Sequence, residues 1–216
     1  MGGTKAVTLD EWAAAEGRAC IRFDYGGHGR SGGRFEDCTV SSWLADGLAV
    51  LERFAPEPPI LVGSSMGGWL SLLATRALRA GSPGRAPAGL VLVAPAVDFT
   101  EALMWEAFPP AIRQEIAERG IWHRPSAYGD GDYPITRALI EDGRRHLLFG
   151  STIETGCPVH ILQGMGDPDV PWQHAMRLVE HLPADSVQMT LVKDGDHRLS
   201  RPEDIERLVA AVSRIG

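Results

Sequence analysis

The stretch ILVGSSMGGW, Ile60 to Trp69, decides the fold. An aliphatic run ends in two serines fenced by glycines, and an apolar helix pattern opens at once. Gly63-Ser64-Ser65-Met66-Gly67 is G-x-S-x-G between a strand and a helix, the context a nucleophile elbow needs. In such an elbow the middle residue sits in a strained turn, and its neighbours two positions away must be small to avoid collision. Glycine at 63 and 67 meets that need. Ser65 is then the candidate nucleophile, and Ser64, off the spacing, a supporting residue. The Met66 backbone N–H, at the start of the following helix, is aimed at a developing oxyanion.

A serine hydroxyl needs a base. In this arrangement acid and histidine follow in that order, each beyond a later strand. MGDPDVPW follows the run PVHILQG, and DHR follows VQMTLVKDG. His197 is the only histidine after the last strand-like run and is the candidate base. The acid is Asp167 or Asp169. Asp167 lies nearer the strand end, whereas Asp169 lies nearer a helix opened by Pro171, where a carboxylate gains from the dipole. Position favours Asp167. Asp196 adjoins His197 in sequence and is poorly placed to orient its ring.

Working outward, five short runs rich in aliphatic residues recur: ACIRFDY, PILVGS, GLVLVAPA, PVHILQG and VQMTLVKDG. Each is nearly continuous in apolar residues, as strands covered on both faces are. Helical stripes alternate with them. One holds Trp43, Gly47, Val50, Leu51 and Phe54, another Trp172, Ala175, Val179 and Leu182. The last holds Ile205, Leu208, Val209 and Val212, with Ser200 and Glu203 as a capping box. The pattern predicts an α/β fold, a mostly parallel sheet with helices on both faces. From Asp98 to about Thr155 no strand is predicted, and the interval is too long for a loop. It reads as a small helical cap holding Trp105, Phe108, Trp122, Tyr128 and Tyr133. The domains are therefore 1–97 with 156–216 as core, and 98–155 as cap.

Length, composition and charge set bounds. A chain of 216 residues, 44% hydrophobic and 23% charged, suits one soluble globular domain. A formal charge of −7, without a basic cluster, argues against nucleic acid and anionic membrane as partners. No run reaches membrane-spanning length, so no stable membrane insertion is expected. No signal core, transit peptide or myristoylation pattern stands at the start, and the expected location is a bacterial-type cytoplasm. Three cysteines without metal spacing fit a reducing compartment, with Cys20 and Cys157 as small core residues. Histidines 123, 146, 160, 174 and 181 show no metal-ligand spacing, and neither metal nor cofactor is expected. Gly27-His28-Gly29-Arg30-Ser31-Gly32 matches G-x-G-x-x-G after ACIRFDY. No helix opens there to receive a pyrophosphate, so it reads as a glycine turn with His28 a turn residue.

On these residues the chain resembles the α/β-hydrolases. It is most similar to the branch that holds mitochondrial palmitoyl-protein thioesterases and acyl-glucuronide esterases and their bacterial relatives. GTKA (3–6), CIRFDYGGHGRSGG (20–33), ILVGSSMGGW, GIWHRPSAY, CPVHILQGMGDPDVPW (157–172) and DGDHR (194–198) carry the resemblance over nearly the whole chain. SSMGGW, VPW and DHR together are specific to the branch. The family's acid stands in G-x-x-D-x-x-V-P, here Gly164, Asp167, Val170 and Pro171, which also selects Asp167. Gln163 departs from the histidine usual there, a change expected to matter little. The resemblance implies hydrolysis of an acyl thioester or carboxylic ester, small-molecule or on an acylated protein, by a Ser65–His197–Asp167 triad through an acyl-enzyme without a cofactor. It implies an acyl chain shielded by the cap, with Trp105, Phe108 and Trp172 as candidate lining. The alternatives are a serine peptidase of the same fold and a non-catalytic hydrolase-fold scaffold. By the same resemblance the N-terminal strands are missing, one of them the strand between ACIRFDY and PILVGS. Met1 is then expected to be internal to a longer natural chain. A slot or rearranged pairing is expected beside ACIRFDY, with an oxyanion hole reduced to Met66 N–H.

Overall fold

The computed structural model describes residues 1–81, 86–125, 132–183 and 186–215. Four of the five predicted strands form one parallel sheet. They are β1 (Ile60–Ser64), β2 (Gly89–Val93), β5 (Val159–Gly164) and β6 (Val187–Val192), in the order β1-β2-β5-β6. Helices α1 (Thr4–Ala15), α2 (Val40–Phe54), α3 (Met66–Gly81), α6 (Trp172–His181) and α7 (Pro202–Ile215) lie between and around them.

The alternation of side chains along β2 explains the two covered faces. Leu90 and Leu92 enter one cluster with Trp43, Trp69, Leu72, Ala175 and Leu178 from α2, α3 and α6. Val91 and Val93 enter the opposite cluster with Leu9, Leu208, Ala211 and Val212 from α1 and α7. All four β2 side chains are at most 1% exposed. Successive strand residues point to opposite faces, so a strand covered on both must be apolar throughout. Burial of each such side chain contributes roughly 1.5–3 kcal/mol.

Three sequence expectations are corrected. ACIRFDY is not a strand: residues 18–25 carry no regular structure, and Ile21 is 46% exposed. A strand exists by virtue of its ladder, and no described segment pairs with this one. It is held instead by Asp24, which receives the Met1 amine and the Arg30 N–H, and by Arg22, which donates to Met1 O at 2.8 Å. Cys20 is accordingly exposed rather than core, while Cys157 is half-buried and packs on the main cluster. Among the described residues β1 pairs only with β2, and Val62 on β1 is 40% exposed.

The second correction concerns the interval 98–155, which contains a short antiparallel pair, β3 (Ile121–Arg124) and β4 (Tyr133–Thr136). Four-residue strands, one carrying Pro134, lie below what periodicity resolves. The interval also holds a π-helical turn (Thr100–Trp105), α4 (Pro110–Arg119), α5 (Arg137–Gly143) and a 3₁₀ turn (Arg144–His146). Phe108, Ile116, Ile135 and Ile140 form its own small core. Phe99, Leu139, Leu148, Phe149 and Ile153 join the main cluster, so both ends of the interval are built into the body of the fold. Buried Asp98 ties them: its carboxylate accepts the Leu148 and Phe149 N–H groups at 2.8–3.0 Å. Tyr128 lies outside the described residues.

The third correction is at helix ends. Ser200 does not cap α7. Its hydroxyl donates to Arg198 O, and α7 opens at Pro202, the position proline favours. The capping box that exists is on α2, where Thr39 and Ser42 bond each other's backbone N–H groups. On α2 Trp43 is fully buried, but Phe54, at the last turn, is 59% exposed. The α7 stripe holds as expected, with Ile205, Leu208 and Val212 buried and Val209 packed against them. No described helix is long and apolar enough to cross a membrane.

Candidate active site

The elbow is strained where the motif requires it. Ser65 has φ 55°, a left-handed conformation that non-glycine residues rarely adopt. The strain is held by bonds on both sides of the turn. Ser65 N donates to Val93 O at 2.8 Å, and Ser65 O accepts from Gly68 N and Ala96 N at 2.9 and 3.1 Å. A Cβ on Gly63 would lie 2.3 Å from Gly67 O and 2.6 Å from Ser71 Oγ, so position 63 admits only glycine. Gly67 differs from the expectation: a Cβ there meets nothing within 4 Å. The second crowded position is Gly68, pressed on Pro95 at 2.9 Å. Gly63→Ala is therefore expected to destabilise by about 1–3 kcal/mol through overpacking. Gly67→Ala is expected to melt at or above the parent temperature, since alanine favours the helix. Thermal melts of the two variants check this; equal losses would show that the elbow crowds both glycines.

The loops after β5 and β6 are locked together by glycines. A Cβ on Gly164 would lie 2.4 Å from Gly195 O, and one on Gly195 would meet Leu199 and Val192. Gly166 N donates to Gly195 O and Met165 N to Val192 O, both at 2.9 Å. This close approach carries Asp167 and His197 to the end of β1 where Ser65 stands. His197 Nε2 lies 3.0 Å from Ser65 Oγ, and His197 Nδ1 lies 2.8 Å from Asp167 Oδ2. The Asp167 side chain is fully buried and that of His197 is 20% exposed.

Asp167 is bonded on both oxygens. Oδ1 accepts the N–H groups of Asp169 and Val170 at 2.8 and 2.9 Å. Burial raises its pKa, but the bonds from His197, Val170 and Asp169, with the charge of His197, hold the carboxyl below the ordinary value. It thus favours the folded state above the unfolded pKa, and that contribution is lost as pH falls through the folded one. Asp169, the alternative acid, serves Asp167 through its backbone N–H. Its carboxylate lies within 4.8 Å of the Asp167 and His197 ligand atoms. These three side chains form a possible cation-binding group among the described residues, but two of them, Asp167 and His197, are already engaged in the chain of hydrogen bonds to Ser65. Asp196 turns away from the imidazole, its Oδ1 capping the Arg198 and Leu199 N–H groups.

Met66 begins α3 and so presents its N–H at a helix N-terminus. Of the three aromatic residues expected at the acyl chain, Phe108 and Trp105 both belong to or pack on the small core of 98–155, and Trp172 stands beside the acid loop. Phe108 is 9% exposed and belongs to the small core of 98–155, its ring 5.2 Å from Trp122. Trp105 is half-buried beneath the Arg113 and Arg144 guanidiniums. Trp172 opens α6, directly after the loop of Asp167, and is half-buried. The glycine turn 27–32 is followed by a short 3₁₀ turn, and α2 begins only at Val40. It offers no helix N-terminus to a nucleotide. The His28 ring packs edge-on against Phe35 and Trp43.

Gln163, expected from the sequence to matter little, reaches the acid loop and approaches Asp167 itself with its side chain. The signals were its departure from the usual histidine and its position four residues before Asp167, at a strand end.

The alpha/beta hydrolase family profile matches residues 5–211. The mitochondrial palmitoyl-protein thioesterase ABHD10 of Homo sapiens is 38% identical over 213 residues, covering 98% of this chain and 68% of that protein. A solved structure from Agrobacterium vitis S4, assigned there to the hydrolases, is 54% identical with a TM-score of 0.96. It covers 100% of this chain and 83% of that one. Mouse alpha/beta hydrolase domain-containing protein 10 is 37% identical with a TM-score of 0.88, covering 100% and 84%. The ferulic acid-bound Est1E of Butyrivibrio proteoclasticus, at 22% identity and TM-score 0.76, shares the fold. The expectation of a bacterial-type cytoplasm is corrected by the curated relatives, which are named as mitochondrial proteins. That expectation rested on the lack of a targeting pattern in this sequence, and such a lack does not fix a location. The elbow, the parallel sheet and these matches agree: the chain belongs to the alpha/beta hydrolase family and is a hydrolase enzyme.

Proposed function

We propose that this hydrolase cleaves acyl thioesters or carboxylic esters through Ser65, His197 and Asp167. One observation carries the reading: an unbroken hydrogen-bonded path from the Ser65 hydroxyl through both ring nitrogens of His197 to a buried carboxylate. Ser65 Oγ attacks the acyl carbonyl carbon while His197 Nε2 takes the hydroxyl proton. Asp167 holds the Nδ1–H tautomer and stabilises the imidazolium. The tetrahedral oxyanion faces Met66 N–H, where the helix dipole adds to the bond. Collapse breaks the bond to the leaving sulfur or oxygen, which receives its proton from His197. Water then repeats the cycle on the acyl-enzyme and frees the carboxylic acid and Ser65.

The thioester preference follows the relatives, which are named palmitoyl-protein thioesterases. Trp172, beside the acid loop, and Trp105, on the π-helical turn, are the proposed acyl-facing aromatics. Phe108 is buried in the small core on which Trp105 packs. A panel of p-nitrophenyl esters and acyl-CoA thioesters of increasing chain length tests the reading. Turnover of at least one class, blocked by a fluorophosphonate, is expected. Turnover of neither, with cleavage of peptide substrates, would replace it with the peptidase alternative.

A further inference from the structure

Gln163 is the last side chain of β5 before the acid loop, and it is fully buried. Its Nε2 donates to Gly164 O at 2.9 Å, at the near end of that loop, and to Val170 O at 2.9 Å, at the far end. Between them it approaches Asp167 Oδ2 at 3.4 Å, the oxygen that receives His197 Nδ1. All three partners are acceptors, so the orientation of the amide is dictated: only its NH₂ can face them. The opposite atom, Oε1, is buried with no hydrogen-bond partner among the described residues. A buried acceptor without a partner is unfavourable, and native structures rarely keep one without reason. Here the two N–H groups of the same amide are spent on Gly164 O and Val170 O, with Asp167 Oδ2 close beside them at 3.4 Å.

We propose that Gln163 is a positioning residue: its amide cross-braces the loop from Gly164 to Val170 and holds Asp167 Oδ2 at the distance His197 requires. The inference rests on the triad reading above. The brace acts on the acid by two routes. It fixes both ends of a seven-residue loop whose middle carries Asp167. It also sets the positive edge of its NH₂ 3.4 Å from Oδ2, which favours the carboxylate orientation that receives His197 Nδ1. The residue is neutral, and a second charge beside the buried carboxylate is avoided.

Two nearly isosteric variants test it. Gln163→Met removes all the donors and keeps the volume. With a p-nitrophenyl ester, kcat is expected to fall about 10- to 100-fold, as for a misplaced catalytic group, with KM within about twofold. Gln163→Glu keeps the shape and can donate only while protonated, which burial among acceptors favours. Its kcat relative to the parent is expected to fall as pH rises, because ionisation removes the donor and repels Asp167. A merely structural role gives a ratio that does not vary with pH. The proposal is overturned by a folded Gln163→Met with parental kcat, or by a Gln163→Glu deficit independent of pH. It is also overturned if neither variant folds, which would make Gln163 a fold residue alone. Fluorophosphonate labelling of the same proteins and of Ser65→Ala separates the failures. Labelling that persists in Ser65→Ala sinks the triad, and this inference with it. Labelling confined to Ser65, with unaffected Gln163 variants, sinks this inference only.

Discussion

Replacing Ser65 with alanine is expected to lower kcat by about a million-fold and abolish fluorophosphonate labelling, the loss expected when the nucleophile of such a triad is removed. Ser65 stands 3.0 Å from His197, the only imidazole hydrogen-bonded to it among the described residues, in a backbone conformation strained to expose it. The fold itself should survive, because the turn is held by Ser65 backbone bonds that alanine keeps. Ser64 is the internal control. It closes the β1 ladder opposite Val93, one residue before the turn, and Ser64→Ala is expected to label as the parent does. Labelling that survives in Ser65→Ala, or disappears in Ser64→Ala, would place the nucleophile elsewhere.

Much of this was legible in the sequence because three signals were local. A G-x-S-x-G between an aliphatic run and a helical stripe fixes an elbow wherever it occurs. Two later aliphatic runs end in loops that carry an aspartate and a histidine. The covered strands β2 and β5 carry only two polar side chains, His160, whose ring is satisfied by Thr190 across the ladder at 2.9 Å, and Gln163 at the end of β5. What was not legible depended on partners distant in sequence. ACIRFDY has every local mark of a strand, yet a strand is defined by a neighbour, and none is present among the described residues. The pair β3 and β4 is the converse case, too short for a pattern but stabilised by its own ladder and by Ile135 in the small core. The glycines show the same limit. Motif logic gave equal weight to Gly63 and Gly67, whereas the crowded positions are 63 and 68, set by the pitch of α3 against Pro95. Gln163 reads as a departure from the family's usual histidine and is discounted on the sequence, because a lone glutamine at a strand end carries no pattern. Its role emerges only when three acceptors converge on its amide.

The choice between the two carboxylates can be decided by one atom. Asp167→Asn is expected to lower kcat by about ten-thousand-fold, the cost of a wrong histidine tautomer in such a triad. The reason lies in the loop. Oδ1 of Asp167 accepts two backbone N–H groups, from Asp169 and Val170, and neither would tolerate an NH₂ in its place. The asparagine must therefore keep its oxygen at that site and turn its NH₂ toward His197 Nδ1. A donor there selects the imidazole whose Nδ1 is bare and whose proton sits on Nε2. That proton faces Ser65 Oγ, and the base is blocked where it must act. The same NH₂ would also confront the Gln163 amide, adding a donor–donor clash. Asp169→Asn leaves all of this intact, because the Asp169 contribution to the acid is its backbone N–H. Its nearby, partly exposed charge is screened, and the rate is expected to stay within about tenfold of the parent. Melting curves for both variants show that the comparison is made between folded proteins. If Asp169→Asn proves the more damaging change, Asp169 is the acid and Asp167 only the brace of its loop.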